Sequence, residues 1–159
     1  FKSPEIIFSI LLVDEKDNYQ YFCHKYKVPN KLKKDLSFTA ENYIQFKEDK
    51  NYLKKDLKKN IYIFGKNNIK KLLGFIYCAE PKFTTKLLNN IVEEVNKTNI
   101  PNFPFNGQYL MDLGLVDGKK IGYTLRLLEK EWIQKDFNLK TQEIALIVDK
   151  IKKLNILNI

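Results

Sequence analysis

The sequence predicts an all-α protein, a bundle of about eight or nine helices, and three observations carry that reading. Strict alternation of apolar and polar residues is almost absent. Apolar residues recur at three- and four-residue spacing along the whole chain, and proline, glycine or asparagine stands where that spacing lapses. The material for a core is present: 44% of the 159 residues are hydrophobic and 13% aromatic, which excludes disorder despite 30% charged residues and a mean hydropathy of −0.39.

Ser3 and Pro4 start a first helix that carries Ile6, Ile7, Ile10 and Leu11. A second runs from about Asn18 through Tyr26 and is broken by Pro29. The third, from Asn30 to Phe46, turns Leu32, Leu36, Tyr43 and Phe46 inward and holds Lys31, Lys33 and Lys34 in its first turns, where lysine opposes the helix dipole. Leu53, Leu57, Ile61 and Phe64 form the buried side of a fourth helix that stops at Gly65; its other side bears Lys54, Lys55, Lys58 and Lys59 as one stripe. Asn67 or Asn68 is the expected cap of the next helix, which holds Leu72, Leu73, Ile76 and Tyr77 and ends near Pro81. Another, from Phe83 to Asn96, buries Leu87, Leu88, Ile91 and Val95.

Pro101 and Pro104 mark a boundary, so the expected division is a helical body at 1–97 and a tail at 98–159. In the tail Asn106 caps a short helix with Tyr109, Leu110 and Leu113, ended by Gly114. After a turn, a long helix opens at Gly118 and runs through Ile121, Leu125, Leu128 and Trp132. Thr141 is the expected cap of a final helix with Ile144, Ile147, Val148, Ile151 and Leu154 on one face.

The formal charge of +9 is unevenly spread. Residues 25–71 hold 14 lysines against 5 acids, which is +9, whereas residues 1–24 sum to −2 and residues 72–159 to +2. One third of the chain thus carries the pattern of a surface that meets polyanion, although lysine-rich faces also serve solvation alone. Of the 28 basic residues 27 are lysine and only Arg126 is arginine.

Several chemistries are excluded. With His24 the single histidine, and Cys23 and Cys78 in no paired spacing, zinc sites and multi-histidine metal hydrolases have no ligands, and the thiols are expected buried and free in a reducing compartment. Neither a P-loop nor GxGxxG is present. The acid pairs Glu48-Asp49 and Glu93-Glu94 diverge by about 100° on a helix and do not converge on one ion. No apolar run reaches the roughly 18 residues of a membrane span, so a soluble protein is expected.

The informative segment is Pro104 to Leu125, a helix, a glycine-rich turn and a second helix. Gly118 opens that second helix, whose N–H groups and positive dipole end, flanked by Lys119 and Lys120, would hold a phosphate, with Arg126 two turns on. Gly122 permits a close backbone approach; tight helix packing is the alternative reading of both glycines.

The pattern Gly107-x-x-Leu110-x-x-Leu113-Gly114, then Gly118, Ile121-Gly122, Leu125, Leu128 and Trp132-Ile133, resembles the C-terminal signature of bacterial tRNA nucleotidyltransferases, which include CCA-adding enzymes and poly(A) polymerases. The likeness covers residues 101–139; the preceding helices fit that family's helical body in layout only. Where the family usually has Gly-Pro, this chain has Gly118-Lys119.

The resemblance implies a tRNA-binding body and tail that grip the acceptor and T arms by backbone and shape. It places catalysis in an N-terminal head and neck, using Mg²⁺ with ATP and CTP, that these residues lack, so the chain alone is expected to be inactive. The family's Glu-Asp-x-x-Arg selector is not reproduced, since Glu48-Asp49 is followed by Tyr52 at the arginine's place, and no catalytic or metal residue is carried over. The expected RNA-binding residues are therefore Lys54, Lys55, Lys58, Lys59, Gly118, Lys119, Lys120 and Arg126. A helix-hairpin-helix DNA-binding module shares part of the turn pattern, and a lysine-rich helical scaffold shares the composition.

Overall fold

A computed structural model describes residues 4–14 and 17–153, and every regular element among them is a helix. In chain order these are α1 (Pro4–Leu12), α2 (Asn18–Tyr26), α3 (Asn30–Glu48), α4 (Tyr52–Lys55), α5 (Leu57–Phe64), α6 (Lys66–Ala79), α7 (Thr85–Lys97), α8 (Gly107–Asp112), α9 (Gly118–Gln134) and α10 (Thr141–Lys153). Ser3 and Leu154, which the sequence reading assigns to helices, lie outside the described residues. The chain divides into two compact units, Phe1–Ile100 and Pro101–Ile159, where the expected division is at 97/98.

The first unit is built around α6. Ile69, Leu72, Leu73 and Ile76 are fully buried, Phe75 nearly so, and Gly74 lies buried between them. At about 100° per residue these positions cover most of the circumference, so α6 needs apolar cover on nearly every side. Helices α1, α3, α5 and α7 supply it. From α3 come Leu36, Ala40, Tyr43 and Phe46, from α5 Leu57 and Ile61, and from α7 Leu88, Ile91 and Val95. Tyr43 meets Phe75 edge-on at 5.0 Å between ring centroids. Tyr77, expected inward, is exposed.

Three expectations in this unit are corrected. On α1 only Ile6 of the four expected residues is buried; Ser9 and Val13 complete the inner line, and Ser9 Oγ donates to the Glu5 carbonyl at 2.9 Å. Residues 6, 9 and 13 step by three and four, and Ile7 pairs with Ile10 and Leu11 at the same three- and four-residue separations, so periodicity alone does not choose between the two faces. The single helix expected over Leu53 to Phe64 is broken at Asp56 (φ −126°, ψ 35°), which raises the number of helices to ten among the described residues. Buried Asn60 spans the break, its Nδ2 donating to the Tyr52 carbonyl at 3.5 Å. At the start of α6 neither asparagine caps: Asn68 Nδ2 donates back to the Phe64 carbonyl at 2.9 Å, and Gly65 takes the junction at φ +80°, ψ 150°, a conformation essentially confined to glycine.

A buried polar chain ties α3 to α4, with Tyr52 Oη donating to Asn42 Oδ1 at 2.8 Å and Asn42 Nδ2 to the Phe38 carbonyl at 2.7 Å. Burial, reinforced by the Asp56 charge, raises the Tyr52 hydroxyl above its usual range. Past the end of α6, Glu80 receives Tyr43 Oη at 2.8 Å and Lys50 Nζ at 3.1 Å. Burial pushes the Glu80 carboxyl up, but the hydrogen bonds from Tyr43 and Lys50, with the lysine charges, outweigh it and hold the group below the usual carboxylate range.

In the second unit α8, α9 and α10 enclose Leu110, Leu115, Leu128, Ile144, Val148 and Ile151. Asn106 caps α8 as expected, its Oδ1 accepting from the Tyr109 N–H at 2.9 Å. Gly114 (φ +87°) turns the chain so that the Leu115 N–H reaches the Leu110 carbonyl at 3.0 Å and the Leu115 side chain enters the core. Thr141 does not cap α10. It lies in the first turn, and the Lys140 N–H is received instead by Glu143 Oε2 at 3.0 Å.

Two predictions follow from this packing. Leu128, fully buried, should cost about 2 to 5 kcal/mol when changed to alanine, measured by urea denaturation. Glu80 has a folded pKa below its unfolded one, so its contribution is present above the usual carboxylate range and is lost as pH falls through the folded value. Between about pH 5 and pH 3 the wild type should therefore lose more stability than Glu80→Gln.

Candidate nucleic-acid interface

The lysine stripe is assembled from two short helices. Leu53, Leu57 and Ile61 are buried beneath it, which leaves Lys54 and Lys55 on α4 and Lys58 on α5 exposed and Lys59 half-buried. Asp56, at the break between the two helices, offsets part of this charge. Lys59 Nζ lies 3.3 Å from Asp56 Oδ1, while Lys54 and Lys55 have no carboxylate partner among the described residues.

More of the basic tract stands nearby. Lys31, Lys33 and Lys34 are exposed on the first turns of α3, whose N-cap position is Pro29 and receives no side-chain cap. Three lysines beside an uncapped positive dipole end are locally unfavourable, a penalty that a bound anion reverses. Lys34 also lines a 470 Å³ groove with Phe38, Gln45, Tyr52 and Phe64, where its charge is balanced by Glu41, whose Oε1 accepts from Ser37 Oγ at 2.9 Å. That groove joins the exposed side of α3 to α4 and α5. Other lysines of the tract are committed within the unit: Lys71 to Asp35 at 3.4 Å, Lys50 to Glu80 at 3.1 Å, and Lys66 to the Asn96 carbonyl at 2.9 Å.

The glycine turn is corrected by its own cap. Asp117 precedes Gly118, and its Oδ1 accepts from the N–H groups of Lys119 at 2.8 Å and Lys120 at 3.1 Å. The N–H groups expected to hold a phosphate are thus occupied by a carboxylate of the chain itself. Lys120 Nζ reaches the Lys152 carbonyl at the end of α10, at 3.2 Å, and Arg126 Nε returns to the Gly122 carbonyl of its own helix at 3.4 Å. Nothing lies within 4 Å of a Cβ built at Gly118 or Gly122, so the tight-packing reading fails at both positions too. Asp117 is legible in the sequence as an N-cap residue directly before the helix, a signal that sets the chain's own carboxylate on those N–H groups.

The remaining candidates do not form a site. His24 is exposed on α2; Cys23 is buried, but Cys78, expected buried, is exposed. The magnesium implied for nucleotidyl transfer finds no ligand set, since no three of His, Cys, Asp and Glu come together to hold a metal ion among the described residues. No helix among them is long and apolar enough to cross a membrane. No protein-family model, no curated protein and no solved structure matches the chain.

The local geometry of α9 predicts opposite signs for two substitutions. Asp117→Ala, which removes a cap with two bonds, should lower stability by about 1 kcal/mol. Gly122→Ala meets open space and gains helix propensity, so it should raise stability by up to about 1 kcal/mol. Urea denaturation of both variants checks the pair.

Proposed function

We propose that this chain is an RNA-binding helical module that holds tRNA, of the kind that forms the C-terminal part of a template-independent nucleotidyltransferase adding CCA, or part of it, to tRNA 3′ ends. The observation that carries the RNA reading is the set of exposed lysines on α3 and α4 of the first unit, Lys31, Lys33, Lys34, Lys54 and Lys55, none with a carboxylate partner among the described residues. Such a set attracts phosphate backbone irrespective of base sequence and releases counterions on binding. Choice of tRNA within that class rests on the signature in residues 107–133.

In this reading the RNA does not use the glycine turn. A helix-hairpin-helix module uses backbone N–H groups at such a turn to hold phosphate, and here Asp117 holds two of them. The role proposed is positioning. Transfer of CMP or AMP, with Mg²⁺, ATP and CTP, belongs to a catalytic part of the parent enzyme, and the chain by itself should incorporate no label from ATP or CTP into tRNA.

Salt dependence tests the reading. Each phosphate contact contributes roughly 0.7 to 0.9 to the slope of log K against log salt, so the double change Lys54→Gln and Lys55→Gln should flatten the slope for tRNA by about 1.4 to 1.8. Lys59→Gln should flatten it less than either single change, because Asp56 already neutralises that ammonium. An unchanged slope in the double variant assigns the stripe to solvation and overturns the reading.

A further inference from the structure

Between α3, the α6–α7 connection and α7 the first unit contains a cavity of 280 Å³ that none of the expectations drawn from the sequence uses. Its wall is apolar, made by Phe46, Phe83, Leu87 and Ile91, with Phe46 and Phe83 edge to face at 5.9 Å between centroids. Its rim is basic. Lys50, Lys54 and Lys82 stand there against the single acid Glu80, which leaves two positive charges. Lys50 is spent on Glu80 and on the Phe46 ring, 4.5 Å from its centroid. Lys54 and Lys82 have no such partner among the described residues. Asn51 completes the rim; its backbone N–H bonds to Asp49, and its side-chain amide has no protein partner among the described residues.

We propose that this cavity binds one nucleotide unit, with the base against the Phe83, Leu87 and Ile91 side of the wall, its edge on the Asn51 amide, and the phosphate between Lys54 and Lys82. Each part of the ligand answers to one part of the site. An aromatic wall favours a flat ring, and every nucleobase has a π-face to offer it. An amide presents a donor and an acceptor together, the combination that pairs with a base edge. A terminal phosphate carries about −1.5 to −2 charges at pH 7, close to the two uncompensated lysines. The volume lies near the lower end of the roughly 300 to 1,000 Å³ of small-molecule sites, which suits one ring system with one anion and leaves no room for a second base. The choice of a nucleotide among flat anions leans on the RNA-binding reading. Lys54 belongs to both sites, so a nucleotide held here lies beside the backbone path proposed for the RNA.

The test titrates the full ¹⁵N-labelled chain with adenosine 5′-monophosphate and follows amide shifts by NMR. Adenosine and inorganic phosphate serve as separate probes, and a short 5′-phosphorylated oligoadenylate represents a strand-borne source. The expected result is a saturable shift at Phe83 and Leu87 with the monophosphate, at least tenfold weaker with either fragment alone. Lys82→Gln should weaken that binding about tenfold and Asn51→Ala about fivefold; both side chains are exposed and their loss leaves the core intact. If the oligonucleotide also moves Phe83 and Leu87, the natural ligand is a nucleotide within a strand; if it leaves them unmoved, the ligand is the free nucleotide. The proposal is overturned if the monophosphate gives no saturable shift there up to about 10 mM, or binds both variants as tightly as the wild type. Lys82 and Asn51 lie outside the lysine stripe, which separates the two readings. Loss of nucleotide binding with tRNA binding intact overturns the cavity alone, whereas nucleotide binding by the wild-type chain that Lys82→Gln weakens, together with an unchanged tRNA salt slope in the Lys54/Lys55 variant, overturns the RNA reading alone.

Discussion

Covering α6 is the constraint on which the first unit depends. A helix with Ile69, Leu72, Leu73, Phe75 and Ile76 all out of water leaves little of its circumference for solvent, and each neighbour must turn its own apolar line inward. Once α3 commits Leu36, Tyr43 and Phe46 to that core and α5 commits Leu57 and Ile61, the lysines between them have nowhere to point but outward. The basic surface is therefore a consequence of the core pattern as well as of composition. The helix partition follows the same logic, since Asp56 breaks the backbone without moving Leu53 or Leu57 off the buried side.

Concentrating charge in this way has a cost. Residues 25–71 hold nine more lysines than acids, and like charges held close on a folded surface repel one another. Within the unit only part of the tract is neutralised, by Asp35, Asp56 and Glu80. Lys31, Lys33 and Lys34 add a second local penalty by sitting at the uncapped start of α3. A bound polyanion relieves both, and water and salt relieve each in part. The second unit shows the contrast: at the start of α9 the chain supplies its own anion in Asp117, and Lys120 is drawn to the carbonyl end of α10.

Much of the helical layout was legible because it is written in strong local signals. Pro29, Gly65, Asn106 and Gly114 stand where helices stop or start, and Leu36, Tyr43, Leu88, Ile91 and Val95 are buried as their spacing predicts. What was not legible depends on tertiary choice. Two faces of α1 show three- and four-residue spacing, and only packing selects Ile6, Ser9 and Val13 over Ile7, Ile10 and Leu11. Periodicity groups Leu72, Leu73, Ile76 and Tyr77 on one helix, but only packing shows that nearly every side of it is covered while Tyr77 is exposed. The lysines proposed to meet RNA are legible in the sequence as a basic tract, whereas at the glycine turn the motif-level likeness implies free N–H groups, two of which the ordinary capping chemistry of Asp117 fills. The cavity beside Lys54 had no sequence signal, because its wall and rim come from residues up to 45 positions apart, Phe46 to Ile91.

The proposed function requires that RNA meet the exposed lysines of the first unit and not the glycine turn. Backbone amide shifts of the ¹⁵N-labelled chain on adding tRNA test it most directly, since they report position independently of affinity. That placement predicts perturbation in residues 31–34 and 54–59, with the amides of Lys119 and Lys120 unmoved behind their Asp117 cap. Perturbation centred on residues 117–126, with the first turns of α3 and the lysines of α4 unchanged, contradicts it.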